Sequence, residues 1–478
     1  MLLTVDIGTS VFKSAIWDFE GTRAAFSSTP LPMGLGEGTR HETDGARWLS
    51  AFEGCCGALG AEVSPGSVEA IVVCGNGPSL VPALGAPFEG ADAPFARSVP
   101  SAPARLWLDR RAEEAARRVS ALMGGFVDAG FFLPKALDIM ANEPRLYESA
   151  KVFLGCPEFL AYALTGQART VFPSDGFERW FWTDDVLARL GLDGEKFPPF
   201  IRPGETFGAL PPTTAARFGF TPGVPVVSGG SDFIASILGV GVTRPGQACN
   251  RAGTSDGINA CTESRVLDER LMSYGHPVKP FWNLSGIVST TGKAIEWGSA
   301  LVGAEGFDAF FSLAQTARPG AGGAVFLPYL AGERAPVWDS SARGALRGLG
   351  LSTGRAEIAR ATLEGINFAI RDIVEIMEEA GAAVEELRVA GAAAGSGLLN
   401  QIKADVTQKR VIVPACKETE LLGLAAIGSS ALGKHASFAE ASRAFARDAG
   451  VFTPNAENAA LYDELFGKYR ALRDGLRG

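Results

Sequence analysis

The chain has few of the residues that build metal clusters and disulfide frameworks. Only three histidines and seven cysteines occur in 478 residues, and no two cysteines form a C-x-x-C pair. An odd number of cysteines does not complete a disulfide framework, and so few histidines argue against a Cys/His metal site. We therefore expect reduced thiols in a cytoplasmic protein.

Long apolar runs and an excess of positive charge are also missing. No stretch approaches eighteen uninterrupted apolar residues, and Asp6 interrupts the apolar N-terminus where a signal peptide would continue. The 44 Lys and Arg against 53 Asp and Glu leave a formal net charge of -9. These features predict no membrane span, no secretion signal and no broad nucleic-acid binding.

What the chain does contain is the composition of a folded protein with more than one core. Hydrophobic residues make up 46% and charged residues 20%, which is typical of globular proteins. A length of 478 residues favours two domains. Strand-like segments at 2–6, 68–74 and 224–227 alternate with helical patterns at 48–59 and from Phe233 onward. This alternation predicts an α/β fold with mostly buried sheets.

The tripeptide Gly-Thr-Ser occurs twice in the same setting. Gly8-Thr9-Ser10 and Gly253-Thr254-Ser255 each lie between two short strand-like segments. Backbone amides in such a turn can point together at a phosphate, with the hydroxyls as added donors. Ordinary turns have the same composition, so the tripeptide alone leaves both interpretations open. The shared strand-turn-strand setting indicates an internal duplication, with a domain boundary near residue 243.

Two aspartates stand at strand ends beside these turns. Asp6 ends the first strand, where a carboxylate can meet a metal-bound phosphate. Asp232 follows Gly229-Gly230-Ser231 at a strand-to-helix junction. There it is either exposed at the carboxyl edge of a sheet or a cap of the following helix. The spacing does not decide between these two roles for Asp232.

Several longer motifs follow one another in a fixed order. They are Asp6-Ile7-Gly8-Thr9-Ser10, Trp107-x-Asp109-x-Arg111, Pro134-Lys135 with Glu143-Pro144, the segment 326–336, and the segment 344–349 followed after seven residues by 357–364. The first motif alone also fits other actin-like ATPases. The series as a whole resembles the FGGY family of carbohydrate kinases, and the segment 326–336 resembles its xylulokinase-like members.

The resemblance implies a fold and an activity. The fold is α/β, with two actin-like (ribonuclease H-like) domains flanking a deep interdomain cleft. Residues 1–242 would form the sugar-binding domain and residues 243–478 the nucleotide-binding domain. The activity would be transfer of the γ-phosphoryl group of ATP to a hydroxyl of a small sugar or polyol, with a pentulose such as xylulose or a related ketose favoured. A homodimer is plausible for the family.

The resemblance also implies roles for single residues. Asp232 matches the catalytic base, and Asp6 matches the residue that helps to place Mg²⁺. The residues expected at ATP are Gly8, Thr9, Ser10, Gly253, Thr254, Ser255, Gly391, Ala392 and Asn400. The residues expected at the sugar are Asn76, Gly77, Pro78, Trp107 and Asp109, together with Asp232.

The chain departs from the family pattern at three places. Gly77 and Pro78 stand where xylulokinase-like relatives have a Met-His pair. The three-glycine adenosine motif is Gly391-Ala392-Ala393, and Asp256 follows the second turn where a small residue is usual. Asp256 and the two alanines, Ala392 and Ala393, motivate an alternative function, a sugar-binding regulatory pseudokinase on the same fold. Binding of Mg-ATP would distinguish the two functions.

Overall fold

The computed structural model describes residues 1–32, 38–87 and 95–475, and these form two compact units. The first unit contains Met1–Gly239 and Glu420–Phe445, and the second contains Val240–Thr419 and the chain from Ala446 onward. A single boundary near residue 243 does not describe this division, because 420–445 belongs to the first unit. There the Ser442 hydroxyl donates to the Leu238 carbonyl at 2.6 Å.

The strands are short and are distributed along the whole chain. In chain order they are β1 (Leu2–Ile7), β2 (Val11–Trp17), β3 (Arg23–Pro30), β4 (Glu42–Thr43), β5 (Ala70–Gly75), β6 (Val81–Ala83), β7 (Ala104–Arg105), β8 (Val152–Leu154), β9 (Thr170–Val171), β10 (Phe200–Ile201), β11 (Thr206–Ala209), β12 (Pro225–Ser231), β13 (Gly246–Ala252), β14 (Asp256–Thr262), β15 (Met272–Gly275), β16 (Trp282–Val288), β17 (Val325–Leu327), β18 (Ala345–Arg347), β19 (Val384–Ala390), β20 (Arg410–Pro414) and β21 (Asp448–Phe452).

Helices alternate with these strands, which confirms the predicted α/β class. They are α1 (Ala46–Gly60), α2 (Glu113–Met123), α3 (Phe132–Asn142), α4 (Pro144–Ser149), α5 (Cys156–Thr165), α6 (Asp184–Leu190), α7 (Pro212–Phe218), α8 (Asp232–Gly239), α9 (Gly292–Leu301), α10 (Gly306–Thr316), α11 (Arg355–Glu379), α12 (Gly397–Thr407), α13 (Thr419–Ala431), α14 (Phe438–Phe445) and α15 (Ala456–Gly475). Short 3-10 turns occur at Pro65–Ser67, Phe95–Arg97, Glu178–Trp180, Gly194–Lys196, Ala321–Gly323 and Ala392–Gly395.

The main sheets of the two units share one strand arrangement. The first sheet has the order β11-β12-β5-β1-β2-β3, and the second has the order β15-β16-β14-β13-β19-β20-β21. In each sheet a strand at the centre pairs antiparallel with the next strand in the chain and parallel with a later one. A further parallel strand and an antiparallel edge strand follow in both. The predicted internal duplication is therefore present in the strand topology.

The central strands are buried on both faces because helices cover them. All six residues of β1 and all six of β5 are buried. In the second unit the long helix α11 has a buried stripe that includes Ile366, Ile370 and Ile373. Its spacing of about one helical turn matches the amphipathic pattern of a helix that packs on a sheet. Among the described residues, no helix combines the length and apolar character needed to cross a bilayer.

Candidate functional site

The first Gly-Thr-Ser turn connects β1 and β2. The Gly8 amide donates to the Val11 carbonyl at 3.0 Å, and a Cβ on Gly8 would lie 2.5 Å from that same oxygen. Only glycine therefore fits at this position. The Asn76 side-chain amide donates to the carbonyls of Ile7 at 2.9 Å and Gly8 at 3.3 Å. Asn76, which we predicted to contact the sugar, thus braces the turn.

Two predicted carboxylates meet at the carboxyl edge of the first sheet. Asp6 pairs with Cys74 in the parallel β1–β5 ladder, and Ser231 pairs with Gly75 in the parallel β5–β12 ladder. Because parallel strands end at the same edge, Asp6 and the residue after Ser231, Asp232, reach one edge. Burial raises the pKa of Asp6 to about 7, and the negative charges of Glu420 and Asp232 add to that rise.

Asp232 lies both at the start of a helix and at the edge of the sheet, the two settings that its spacing left open. It is the first residue of α8, and its Oδ1 accepts a 2.7 Å hydrogen bond from the Phe233 amide. This contact orients the carboxylate at the start of the helix. The side chain is nevertheless half-exposed, and its charge acts on Asp6. A helix-start contact and a carboxylate at the sheet edge therefore coexist.

Glu420 is a third acidic residue of this edge that the sequence did not indicate. It lies in the first turn of α13, and its Oε1 accepts a 3.3 Å hydrogen bond from the Ser236 hydroxyl of α8. The two residues are 184 positions apart. No local pattern could have indicated Glu420, because its place depends on the return of residues 420–445 to the first unit.

A buried lysine orders the segments expected at the sugar. Lys135 Nζ donates to the carbonyls of Pro78 at 2.8 Å, Leu106 at 2.7 Å and Arg105 at 3.3 Å. Burial holds the pKa of Lys135 well below its usual range. The next residue after Leu106 is Trp107, which is half-buried. The lysine therefore fixes both the Pro78 loop and the approach to Trp107.

The remaining residues predicted at the sugar differ in exposure. Gly77 is exposed and Pro78 is half-buried, whereas Asp109 is fully buried. The Asp109 carboxylate accepts from the His41 amide at 2.9 Å and from the Arg111 guanidinium at 2.9–3.2 Å. Asp109 thus orders its own loop in this structure, and its role at the sugar stays a prediction.

A row of aromatic rings next to Asp232 was also missed. Phe233 stacks on Phe177 with centroids 6.1 Å apart, Phe177 lies 5.2 Å from Trp180, and Trp180 stacks on Phe131 at 5.9 Å. All four rings are half-buried, so each has an apolar surface that remains accessible. The aromatic run at 177–182 was the sequence signal that could have indicated this row.

In the second unit, the second Gly-Thr-Ser turn connects β13 and β14. The Gly253 amide donates to the Ser255 carbonyl at 3.1 Å. The residues that begin α9 hold the turn from one side, since the Gly292 amide donates to the Gly253 carbonyl at 3.0 Å and the Thr291 amide to the Thr254 carbonyl at 3.1 Å. Gly253 and Thr254 are exposed, as a phosphate-binding turn requires.

Asp256, the unusual residue after this turn, is directed into the second unit. Its side chain is 2% exposed. Oδ1 accepts from the Thr291 hydroxyl at 2.7 Å and Oδ2 from the Asn250 side-chain amide at 3.1 Å. Lys403, also buried, donates to the Asn250 Oδ1. The carboxylate that motivated the pseudokinase alternative is therefore held in a buried network with a cation nearby.

The predicted adenosine segment follows β19. Gly391 has a φ of +88°, and a Cβ there would lie 1.9 Å from the Ala252 carbonyl, so the end of β19 approaches the second turn closely. Asn400 is buried, and its amide donates to the Ala394 carbonyl at 2.8 Å, while its Oδ1 has no hydrogen-bond partner among the described residues. The side chain of Ala392 lies outside the described part of the structure.

Comparisons with known proteins agree with this arrangement. The N-terminal domain of the FGGY family of carbohydrate kinases matches residues 1–239, and the C-terminal domain of that family matches residues 248–432. The xylulose kinase of Bacillus subtilis is 27% identical over 493 residues, covering 98% of this chain and 96% of the relative. The gluconokinase of Bacillus licheniformis is 26% identical over 360 residues, covering 70% of each.

Solved structures show the same fold. The ligand-bound xylulose kinase of Lactobacillus acidophilus superposes with a TM-score of 0.86 at 22% identity, covering 100% of this chain and 99% of the other. At this identity the likeness establishes the fold. The predicted two-domain, actin-like fold class is thereby confirmed.

Proposed function

The chain belongs to the FGGY family of carbohydrate kinases, and on that premise we propose that it transfers the γ-phosphoryl group of ATP to a hydroxyl of a small sugar or polyol, a pentulose such as xylulose or a related ketose being favoured. The observation that carries the proposal is the position of Asp232. It places a carboxylate at the carboxyl edge of the first sheet, next to Asp6 and the first Gly-Thr-Ser turn.

Each group has a chemical task in this proposal. The Asp232 carboxylate accepts the proton of the attacking sugar hydroxyl, which makes the oxygen a better nucleophile. Backbone amides and hydroxyls of the turns at 8–10 and 253–255 hold the phosphates. Asn400, whose buried Oδ1 has no partner among the described residues, would accept a hydrogen bond from the adenosine. Positioning by these groups supplies much of the catalysis in phosphoryl transfer.

Asp6 fits a Mg²⁺ ion that accompanies ATP. Burial raises the pKa of Asp6 to about 7, and the negative charges of Glu420 and Asp232 add to that rise while Lys13 opposes it. A cation would offset this concentration of negative charge, and Mg²⁺ prefers oxygen ligands. When bound, Mg²⁺ supplies positive charge that neutralises the phosphates. The cytoplasmic location and the homodimer expected above stay predictions.

The choice of sugar rests on the row of aromatic rings that begins at Phe233, the residue after Asp232. Relatives that act on xylulose and on gluconate have similar identity to this chain, so the relatives alone do not choose between a ketose and a sugar acid. Phe233, the residue after Asp232, stacks on Phe177, which contacts Trp180, and all three rings are half-buried. Aromatic faces suit the C–H surface of a neutral sugar, which supports the ketose.

A coupled ADP-release assay with Mg-ATP tests the proposal. The panel comprises xylulose and other ketoses, gluconate, aldoses, deoxysugars and polyols, with ATP alone as the control for sugar-independent hydrolysis. We expect one strong responder among the ketoses. A response to gluconate alone would contradict the ketose but not the kinase. Silence across the panel together with no binding of Mg-ATP would favour the regulatory pseudokinase.

A further inference from the structure

We propose that Lys403 is an electrostatic positioning residue of the nucleotide site, which neutralises Asp256 so that this carboxylate can anchor the second Gly-Thr-Ser turn without repelling the phosphates. The inference rests on the proposed kinase function, because it assumes that the turn at 253–255 binds phosphate. It concerns Lys403, which none of the family motifs described above includes, and Asp256, at which the chain departs from the family pattern.

Asp256 is joined to the turn through Thr291. The Thr291 hydroxyl lies 2.7 Å from Asp256 Oδ1 and 3.2 Å from the Gly253 carbonyl oxygen. A hydroxyl has one hydrogen to donate, and the nearer, charged acceptor is Asp256. The same threonine does not cap α9 with its side chain, while its amide donates to Thr254. Asp256 thus fixes the residue that holds the turn.

The charge of Asp256 would oppose this use if it stood alone. The carboxylate directly follows the turn, is buried, and cannot be screened by water as an exposed acid is. Lys403 supplies the opposite charge, since its Nζ donates to Asn250, whose amide donates at 3.1 Å to Asp256. Asp256 in turn opposes the fall in the pKa of Lys403 that burial produces.

A small cavity borders both the turn and the network. Gly253, Asp256, Thr291, Asn367 and Lys403 all line it. The Asn367 Oδ1 is buried without a hydrogen-bond partner among the described residues. Lys403, Asp256 and the turn residue Gly253 therefore border the same space. A change of charge at Lys403 or Asp256 should alter the electrostatic potential at the bound phosphates.

Three variants separate the charge effect from a loss of structure. Lys403→Met leaves the Asp256 charge unpaired, Asp256→Asn removes the charge but keeps an oxygen for Thr291, and the double variant removes both charges. We expect K403M to weaken Mg-ADP binding about ten-fold, measured by calorimetry on the full chain. D256N alone should lose less affinity than K403M, and D256N/K403M should bind Mg-ADP more tightly than K403M, because neither leaves an unpaired negative charge under the turn.

Arg360→Met is the matched control. Arg360 pairs with Glu364 at 2.8 Å, both are buried, and both belong to α11 of the same unit. R360M breaks a buried ion pair whose residues do not line the cavity beside the turn, so it should lower stability without changing Mg-ADP affinity. Lys403→Gln repeats the main test with a donor for Asn250 retained, in case the methionine variant does not fold.

The outcomes are distinguishable from those of the kinase proposal. The inference is overturned if the Lys403 variants bind Mg-ADP like the wild type, if the double variant binds as weakly as K403M, or if R360M weakens binding equally. A wild-type protein that binds no nucleotide overturns the inference together with the kinase function. Normal wild-type affinity with unaffected Lys403 variants overturns the inference alone.

Discussion

The indole Nε1 of Trp107 donates a 3.0 Å hydrogen bond to Oγ1 of Thr9, although 98 residues separate them in the chain. This bond joins the segment expected at the sugar to the turn expected at the phosphates, within one structural unit. It makes the position of the indole ring dependent on the first Gly-Thr-Ser turn, and it permits a direct test of that dependence.

Trp107→Phe keeps an aromatic ring but removes the donor to Thr9. We expect kcat/KM for the sugar to fall about 2- to 10-fold, the range of one neutral hydrogen bond. In the double variant W107F/T9V, the loss of kcat/KM should be smaller than the two single losses combined, because both substitutions remove the same hydrogen bond. Trp338→Phe is the control, since Trp338 donates an equivalent 3.0 Å indole bond to Arg270 in the second unit. Full additivity would show that the Trp107–Thr9 bond does not couple these positions.

Asp232→Asn tests the catalytic base. An amide cannot take the proton of the attacking hydroxyl, so we expect kcat to fall by about 10²- to 10⁴-fold, with the affinity for sugar and nucleotide largely kept. Asp185→Asn is the control, because Asp185 is an exposed acid on α6 that pairs with Arg189. Turnover near the wild-type rate in D232N would remove Asp232 from the chemical step.

Gly391→Ala tests the close approach of β19 to the second turn. The positive φ of +88° and the 1.9 Å contact of a Cβ with the Ala252 carbonyl both oppose a side chain. We expect at least about 1–2 kcal/mol of destabilisation and a raised KM for ATP. Gly395→Ala is the control, because a Cβ there would meet no heavy atom within 4 Å. Equal ATP affinity in the two variants would contradict a nucleotide role for this segment.

The raised pKa of Glu158 leads us to expect that the stability of the protein depends on pH. Burial raises the pKa of Glu158 to about 7 from a usual value of 4.5, although the Val171 amide donates to it at 3.1 Å. Between pH 4.5 and 7 the unfolded chain releases the proton that the folded protein keeps, so the contribution of Glu158 to stability falls as pH rises through this window.

Glu158→Gln should remove that part of the pH dependence. Because the variant carries no carboxylate that must be ionised in a buried site, it should be more stable than the wild type by about 3 kcal/mol above pH 7, and the difference should vanish near pH 4. Urea unfolding at pH 4, 6 and 8 measures it. Glu148→Gln, an exposed position on α4, should change nothing. The prediction would be contradicted if the free energy of unfolding of the wild type rose relative to that of E158Q as the pH increases.

Local patterns in the sequence predicted the elements that carry the candidate site. The strand expected at 2–6 is Leu2–Ile7, the helix expected at 48–59 is Ala46–Gly60, and both Gly-Thr-Ser turns lie between paired strands. These succeeded because glycine turns and buried strands have signatures a few residues long. The stacking of Phe177 on Phe233 was not predicted, because these residues lie in separate parts of the chain and no local pattern reveals that their rings meet.

By itself, the sequence determined the family, the two turns and the two aspartates at strand ends, since each depends on residues adjacent in the chain. Only the tertiary structure decided which distant charges surround them. Glu420 reaches Asp6 because α13 returns to the first unit. Lys403 reaches Asn250, 153 residues away, and with it compensates Asp256. Electrostatic interactions depend on distance and burial in space, and neither quantity can be read from positions along a chain.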